Sequence, residues 1–313
     1  MSRSRNRRAA GESAPAPREE KRWYQKTGWL LAVSLLCYGI VAVGLRLALG
    51  AGFSALFAAW GVDASTVARA PGWARLVYRW HGSTITLLAA LAGIALSRWL
   101  RGLWRMDAGG ENDSPSGCIK ADTLCLGSKG LSRFAAYALY GLAAATAILL
   151  IGLLPDSLRA EWAAPRLAWA LLPLCAVAFA STLAEEMFTK RVLYDGVERR
   201  WGRLWATVVS VAAFFVIARG YAGNILSAVN VVLLGWIGCL VYRRSGLWAA
   251  TGLHFGWSAA TVFLFGYGGG EASVWRFYGV SANLLTGGDA GFVCGLYLTA
   301  ALIAAIVWLV RRR

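Results

Sequence analysis

Charge is scarce in this chain, and acid is scarcer than base. Only 15% of the 313 residues are charged, with 16 Asp and Glu against 32 Lys and Arg. A soluble globular chain carries about a quarter charged residues, so this composition cannot coat an ordinary water-facing surface. Histidine is limited to His81 and His254. No HExxH run occurs, and the spacing of Cys118 and Cys125 matches no usual zinc pattern, which argues against the common zinc sites. No glycine loop of the phosphate-cradling kind is present, because "GYGGGE" at 266–271 precedes no clear helix. A cleavable signal is also missing from the pattern: the first 26 residues are too long and polar for an n-region.

What is abundant is apolar sequence, at 58% of the chain. It is gathered in runs near the roughly 20 residues that cross a hydrocarbon core as a helix. Eight spans are expected, at about 28–49, 81–100, 134–154, 166–184, 204–218, 225–242, 246–266 and 290–310. The fold class expected is therefore all-α, a polytopic membrane helix bundle. With both termini cytoplasmic, 24 of the 32 basic residues fall on the inner side, as the positive-inside rule requires. The net charge of +16 is thereby read as an orientation signal attracted to anionic membrane lipid, not as a nucleic-acid surface. The expected location is the cell membrane. Cys37, Cys175, Cys239 and Cys294 fall in spans as small hydrophobes, and Cys118 and Cys125 lie in a loop expected to be cytoplasmic, where a structural disulfide is not expected.

Residues 1–26 lack apolar periodicity and are expected to be a disordered basic tail. Two N-terminal spans occupy 27–106, a linker with turn composition occupies 107–130, and a six-helix membrane domain occupies 131–313. Within 51–80, "FSALFAAW" and "WARLVYRW" have the composition of helices lying along the membrane interface. No internal repeat of the kind found in secondary transporters is visible.

Chemistry at membrane depth is rare and therefore informative. Asp156 and Asp289 follow Pro155 and the pair Gly287–Gly288, as turn residues do. Only Glu185 and Glu186 run on from a span with no turn residue between. Successive helical residues differ by about 100°, so the two carboxylates face different ways. Glu186 precedes Lys190 by four residues, the favourable order for a helical ion pair, while Glu185 stacks between Ser181 and Thr189. His254 stands in mid-span with Ser258 one turn on, between Gly252 and Gly256, a spacing that allows close helix approach. His81 opens a span and reads as interfacial. Arg219 ends the fifth span, where it either snorkels to the headgroups or meets the glutamates. The meeting requires the helix bearing the pair to continue past 184.

"EEMFTK", then "FFVIAR", then "NVVLLGWIGCLVYRRSGLWAATGLHFGWS" resemble the CAAX prenyl endopeptidase and bacteriocin-processing family of intramembrane proteases, over roughly 165–266. The resemblance implies a CAAX-protease-like core near 130–310. Glu185 and Glu186 match the family's paired glutamates, Phe215 its second motif and His254 its third. Three positions depart: Lys190 stands where Arg is usual, Arg219 where a second-motif His is usual, and Ser258 where Asn or Asp is usual. The mechanism implied is water activation by Glu185, with His254 and Ser258 donating to the oxyanion. Arg219 cannot take a proton near neutral pH, and beside Glu185 it would tie up the base.

The expected activity is endopeptidase cleavage of a membrane-associated, prenylated or unprenylated, peptide or protein, with no cofactor; a metal held by Glu185 and His254 stays open. A catalytically weakened or inactive member acting as an immunity or binding protein is the alternative. A proton-coupled transporter using Glu185 is a third reading, opposed by the lack of repeats and of further intramembrane carboxylates.

Overall fold

The computed structural model describes residues 17–107, 128–153, 158–162, 168–218, 225–266, 273–279, 284–285, 287 and 294–311. Arg219, the 108–127 portion of the linker, residues 1–16, Asp156, Asp289 and Cys118 and Cys125 lie outside them. The chain is an all-α bundle built from α1 (Pro17–Gly39), α2 (Leu45–Ala59), α3 (Gly72–Asp107), α4 (Ser128–Leu153), α5 (Ala168–Glu186), α6 (Asp195–Ile217), α7 (Ile225–Ser245), α8 (Leu247–Ser258) and α9 (Leu296–Arg311). Among the described residues five helical runs are long and apolar enough to cross a membrane, including Lys26–Ala59 and Leu172–Ile217. The latter holds two of the eight expected spans. Those expected at 246–266 and 290–310 are present as helices but stand outside the five.

The N-terminal part differs from the sequence expectation in two ways. Helix α1 begins at Pro17, so residues 17–26 are helical; proline suits a first helical position because its missing N–H would be unpaired there anyway. The stretches expected as interfacial helices are continuous with their neighbours instead. "FSALFAAW" largely closes α2, and "WARLVYRW" opens α3. Gly50 and Gly52 before the first stretch and Gly82 after the second lie inside α2 and α3, so helix propagation wins there over the interruption that glycine would favour. His81 sits in an aromatic group with Phe53, Phe57 and Tyr78.

The pair Glu185–Glu186 does not end a span. Helix α5 passes directly into a π-helical segment, Met187–Tyr194, and on into α6. The run breaks only at Gly202, whose φ of 81° is open to glycine at no steric cost. The glutamates therefore occupy the middle of the run from 168 to 201, which is the deeper of the two placements the sequence allowed. Gly246, at φ 86°, makes the equivalent break between α7 and α8.

Helix α8 packs on α4 more extensively than any other pair of elements meets. The reason is three glycines. A Cβ on Gly252 would collide with the Phe134 carbonyl, one on Gly256 with the Ala138 carbonyl, and one on Gly141 with the Leu253 carbonyl. The backbones touch where side chains would normally intervene, the small-xxx-small arrangement of membrane helices. Overpacking a close site costs about 1–3 kcal/mol when side chains can yield, and here the obstacle is backbone. Gly256→Leu is therefore expected to lower the thermal midpoint of the detergent-solubilised protein by at least about 5 °C. A shift below about 1 °C would mean that α4 and α8 are not in close contact.

Further ties fix the other helices around the run. Thr299 donates to the Asn230 side-chain oxygen at 2.7 Å, and the Asn230 amide donates to the Gly295 carbonyl at 3.3 Å, joining α7 to α9. The Tyr137 and Ser245 hydroxyls meet at 2.7 Å between α4 and the end of α7. Among the described residues the departure from helix is a short antiparallel pair, β1 (Leu158–Trp162) with β2 (Trp275–Gly279). Trp162 and Trp275 meet edge to face at 4.9 Å across it.

Candidate active site

The site grows out of the α5–π–α6 run. Glu186 is 2% exposed and Lys190 fully buried. The Lys190 Nζ lies 3.8 Å from Glu186 Oε2, an ion pair one turn along the chain. That distance is too long for a hydrogen bond, and Oε2 has no hydrogen-bond donor. Lys190 donates instead to the Thr189 hydroxyl at 3.3 Å. The other carboxylate oxygen, Oε1, lies 3.1 Å from His254 Nδ1 on α8. Glu186 is thus held between a lysine from its own helix and a histidine from another, the compensation a buried carboxylate requires.

The space for the buried lysine comes from its neighbours. Gly238 on α7 has no side chain, and a Cβ there would already stand 3.4 Å from Lys190 Cε. Phe214 on α6 forms the opposite wall, with Lys190 Nζ 5.3 Å from its ring centre and the His254 ring edge-on at 5.5 Å. A cation on an aromatic face gains from the ring quadrupole, more so out of water. Phe214, 7% exposed, is therefore the aromatic that meets both ionisable partners. The sequence reading chose Phe215, which is half-buried and one step round the helix. The motif spacing, with three residues between Phe and the His position at Arg219, selects Phe215; that Phe214 packs inward with Ser210, one turn before it, is visible only in the fold.

Glu185 is differently placed. The residue is half-buried, and Oε1 accepts from the Ser181 hydroxyl at 3.4 Å. Its backbone carbonyl accepts from the Thr189 hydroxyl at 2.7 Å. It lies within electrostatic reach of His254, Glu186 and Arg46. Arg46, in the first apolar run, is a cation that no motif links to the glutamates. Its approach is legible only from the fold. Tyr38 stacks on Phe188 at 3.7 Å, laying α1 against the site. The π-helical turn Ile40–Gly44 lies between Tyr38 and Arg46 and takes an extra residue per turn.

Of the residues predicted for the site, the structure brings Glu185, Glu186, Lys190 and His254 together. Ser258 follows His254 by one turn, but among the described residues its hydroxyl makes no hydrogen bond, and its carbonyl accepts from Thr261 at 3.4 Å. Arg219 is outside the described residues. Among the described residues no three His, Cys, Asp or Glu side chains are gathered as a metal-ligand group.

Residues 167–260 match the Rce1-like family model, that of the type II CAAX prenyl endopeptidases. This is the family the three motifs resembled, and the matched segment contains Glu185, Glu186, Lys190, Phe214 and His254. Arg46 and Tyr38 come from outside it. No curated protein and no solved structure matches the chain.

Proposed function

We propose that the chain is a membrane-embedded endopeptidase of the CAAX type, cleaving a peptide bond in a membrane-associated peptide or protein through a water activated by Glu185. The observation that carries this reading is the division of labour in the glutamate pair. Glu186 is buried and engaged by Lys190 and His254, whereas its neighbour, half-buried at the middle of the same helical run, has only the Ser181 hydroxyl on its carboxylate.

The chemistry follows from those positions. The Glu185 carboxylate takes a proton from water as the oxygen attacks the scissile carbonyl. With His254 Nδ1–H donating to Glu186, the tautomer is fixed by the carboxylate. When the ring is protonated, Nε2–H is left to donate to the developing oxyanion, the kind of preorganised donor that contributes most to acyl transfer. Glu185 then returns its proton to the leaving amine as the C–N bond breaks. Ser258 is the second donor in this scheme after a rotation of its hydroxyl, and no resident metal is required.

One feature favours the second reading, a weakened or inactive member that binds its peptide without cutting it. At the position where the family's second motif has a proton-accepting His, this chain has Arg219, which accepts none. The test separates the two. Purified protein in detergent is given a farnesylated peptide with a fluorophore and quencher across the candidate bond. Cleavage lost by at least about 100-fold in Glu185→Gln, and unchanged by a chelator, supports the protease. Binding of the peptide with no cleavage by the wild type supports the second reading, and neither binding nor cleavage removes both.

A further inference from the structure

Tyr38 comes to the neighbourhood of Glu185 from α1, outside the segment that matches the family model. It is 5% exposed. Its ring lies flat on Phe188 at 3.7 Å and 8°. Its hydroxyl stands over Gly93 of α3, where an added Cβ would lie 3.7 Å from the Tyr38 oxygen and 3.5 Å from Ala184 Cβ. Tyr38 therefore covers the flank of the α5–π run that carries Ala184 and Phe188. Successive helical residues differ by about 100°, so Ala184 lies to one side of Glu185 and Glu186 to the other. On the Glu186 side are the charged partners Lys190 and His254. On the Ala184 side are two hydroxyls, those of Ser181 and Tyr38. A buried tyrosine hydroxyl ordinarily finds a hydrogen-bond partner, yet among the described residues that of Tyr38 has none. The charges that reach it are those of Glu185 and Arg46. Glu185 has only the 3.4 Å contact from Ser181, so two under-bonded polar groups are neighbours on the run.

We propose that the Tyr38 hydroxyl donates to the water that Glu185 activates and holds it beside the carboxylate. The inference rests on the protease reading above and adds a catalytic group to it. The hydrogen bonds of the water divide without conflict. One hydrogen points to the Glu185 carboxylate, one lone pair accepts from Tyr38, and the other lone pair is aimed at the scissile carbonyl. As the new C–O bond forms, the O–H bond facing Glu185 breaks and its proton passes to the carboxylate, while Tyr38 keeps its own proton throughout. A second fixed contact matters because a carboxylate alone leaves the water free to turn, and a nucleophile misplaced by about 1 Å can cost about 100-fold in rate. The second motif of this chain offers Arg219 in place of His, and Tyr38 brings a neutral group to the water from a different helix.

The test uses the full chain in detergent with Tyr38→Phe, which keeps the stack on Phe188 and deletes only the hydroxyl. Removing a buried hydroxyl that no protein group bonds is close to neutral for the fold, so the thermal midpoint should stay within about 3 °C of wild type. A larger fall means that the hydroxyl serves the fold and overturns the proposal. On the farnesylated fluorogenic peptide, kcat is expected to fall roughly 10–100-fold with KM unchanged within about twofold, the pattern of a contact made to the reacting atoms. Equal kcat for wild type and Tyr38→Phe overturns the proposal and leaves the protease reading standing. A second measurement needs no turnover. It compares affinity for the plain peptide with affinity for one whose scissile amide is replaced by a difluoromethylene ketone, a gem-diol in water that carries a hydroxyl where the attacking water would be. Wild type should prefer the gem-diol, and Tyr38→Phe should lose about tenfold of that preference. Both affinities are read on one sample, so a loss of folded protein cancels from their ratio. A wild type that cuts nothing, yet shows the preference and loses it in Tyr38→Phe, supports the role of Tyr38 and places the failure in the protease reading. A preference that survives Tyr38→Phe overturns the role of Tyr38, and a wild type that neither cleaves nor prefers the gem-diol overturns both.

Discussion

Arg219→His is expected to raise peptide cleavage above the wild-type rate by about 10²-fold or more, the lower part of the range that general-base assistance contributes. The expectation follows from the chemistry of two side chains. An arginine near Glu185 pairs with the carboxylate and lowers its affinity for a proton, whereas a neutral imidazole accepts a proton and shares the work of activating water. Glu185→Gln in the same background should remove the gain, because the amide cannot act as the base. The measurement is the initial rate on the farnesylated fluorogenic peptide for wild type, Arg219→His and the double variant. A wild type that already cleaves rapidly, losing activity with Glu185→Gln but not with Arg219→Ala, would make Arg219 a bystander. If Arg219→His gains nothing while peptide binding persists, the binding-protein reading takes over.

Arg46 bears on the same balance. It acts on Glu185 only through its charge, from α2, outside the segment that matches the Rce1-like model. Arg219 would add a further positive charge, and its guanidinium would compete with water for the same lone pairs. The distinction between a charge near the base and a guanidinium occupying it is what the Arg219→His experiment measures.

How much of this was legible in the sequence varied with the range of the interaction. Contacts within one helix turn were readable: Glu186 four residues before Lys190, Ser181 four before Glu185, Gly252 four before Gly256. Each follows from helical geometry alone. The run-on of the glutamates into a longer helix is one of two options the sequence allows, because a charged stretch after an apolar one looks the same whether a span ends or a helix turns its polar face inward. The approach of Arg46 was not legible. It depends on the π-helical turn at Ile40–Gly44 and on the stacking of Tyr38 with Phe188, and neither leaves a periodic signal. The β1–β2 pair failed for the same reason: its two strands lie more than 100 residues apart and each is five residues long, too short for an alternation to stand out.

Lys190 is the residue whose removal should cost the fold most. It is fully buried, and Lys190→Met keeps its length and apolar stem while deleting the charge. Glu186 would then lean on His254 alone, and breaking a buried ion pair by removing one partner typically costs about 3–5 kcal/mol. For a chain of this size that corresponds to a fall of roughly 6–20 °C in apparent midpoint. The double variant Lys190→Met with Glu186→Gln should recover much of the loss, since the uncompensated carboxylate, not the missing lysine, is the source of the cost. Lys190→Arg tests the geometry instead of the charge. The present pair is 3.8 Å apart and leaves Glu186 Oε2 without a donor, a gap that the longer fork of arginine can close. The bare surface of Gly238 offers room on one side and the Phe214 ring a stacking face on the other. Lys190→Arg is accordingly expected to match or exceed wild-type stability. A midpoint for Lys190→Met within about 2 °C of wild type, or no recovery in the double variant, would show that Glu186 is carried by His254 and that Lys190 is only a filler of the space over Gly238.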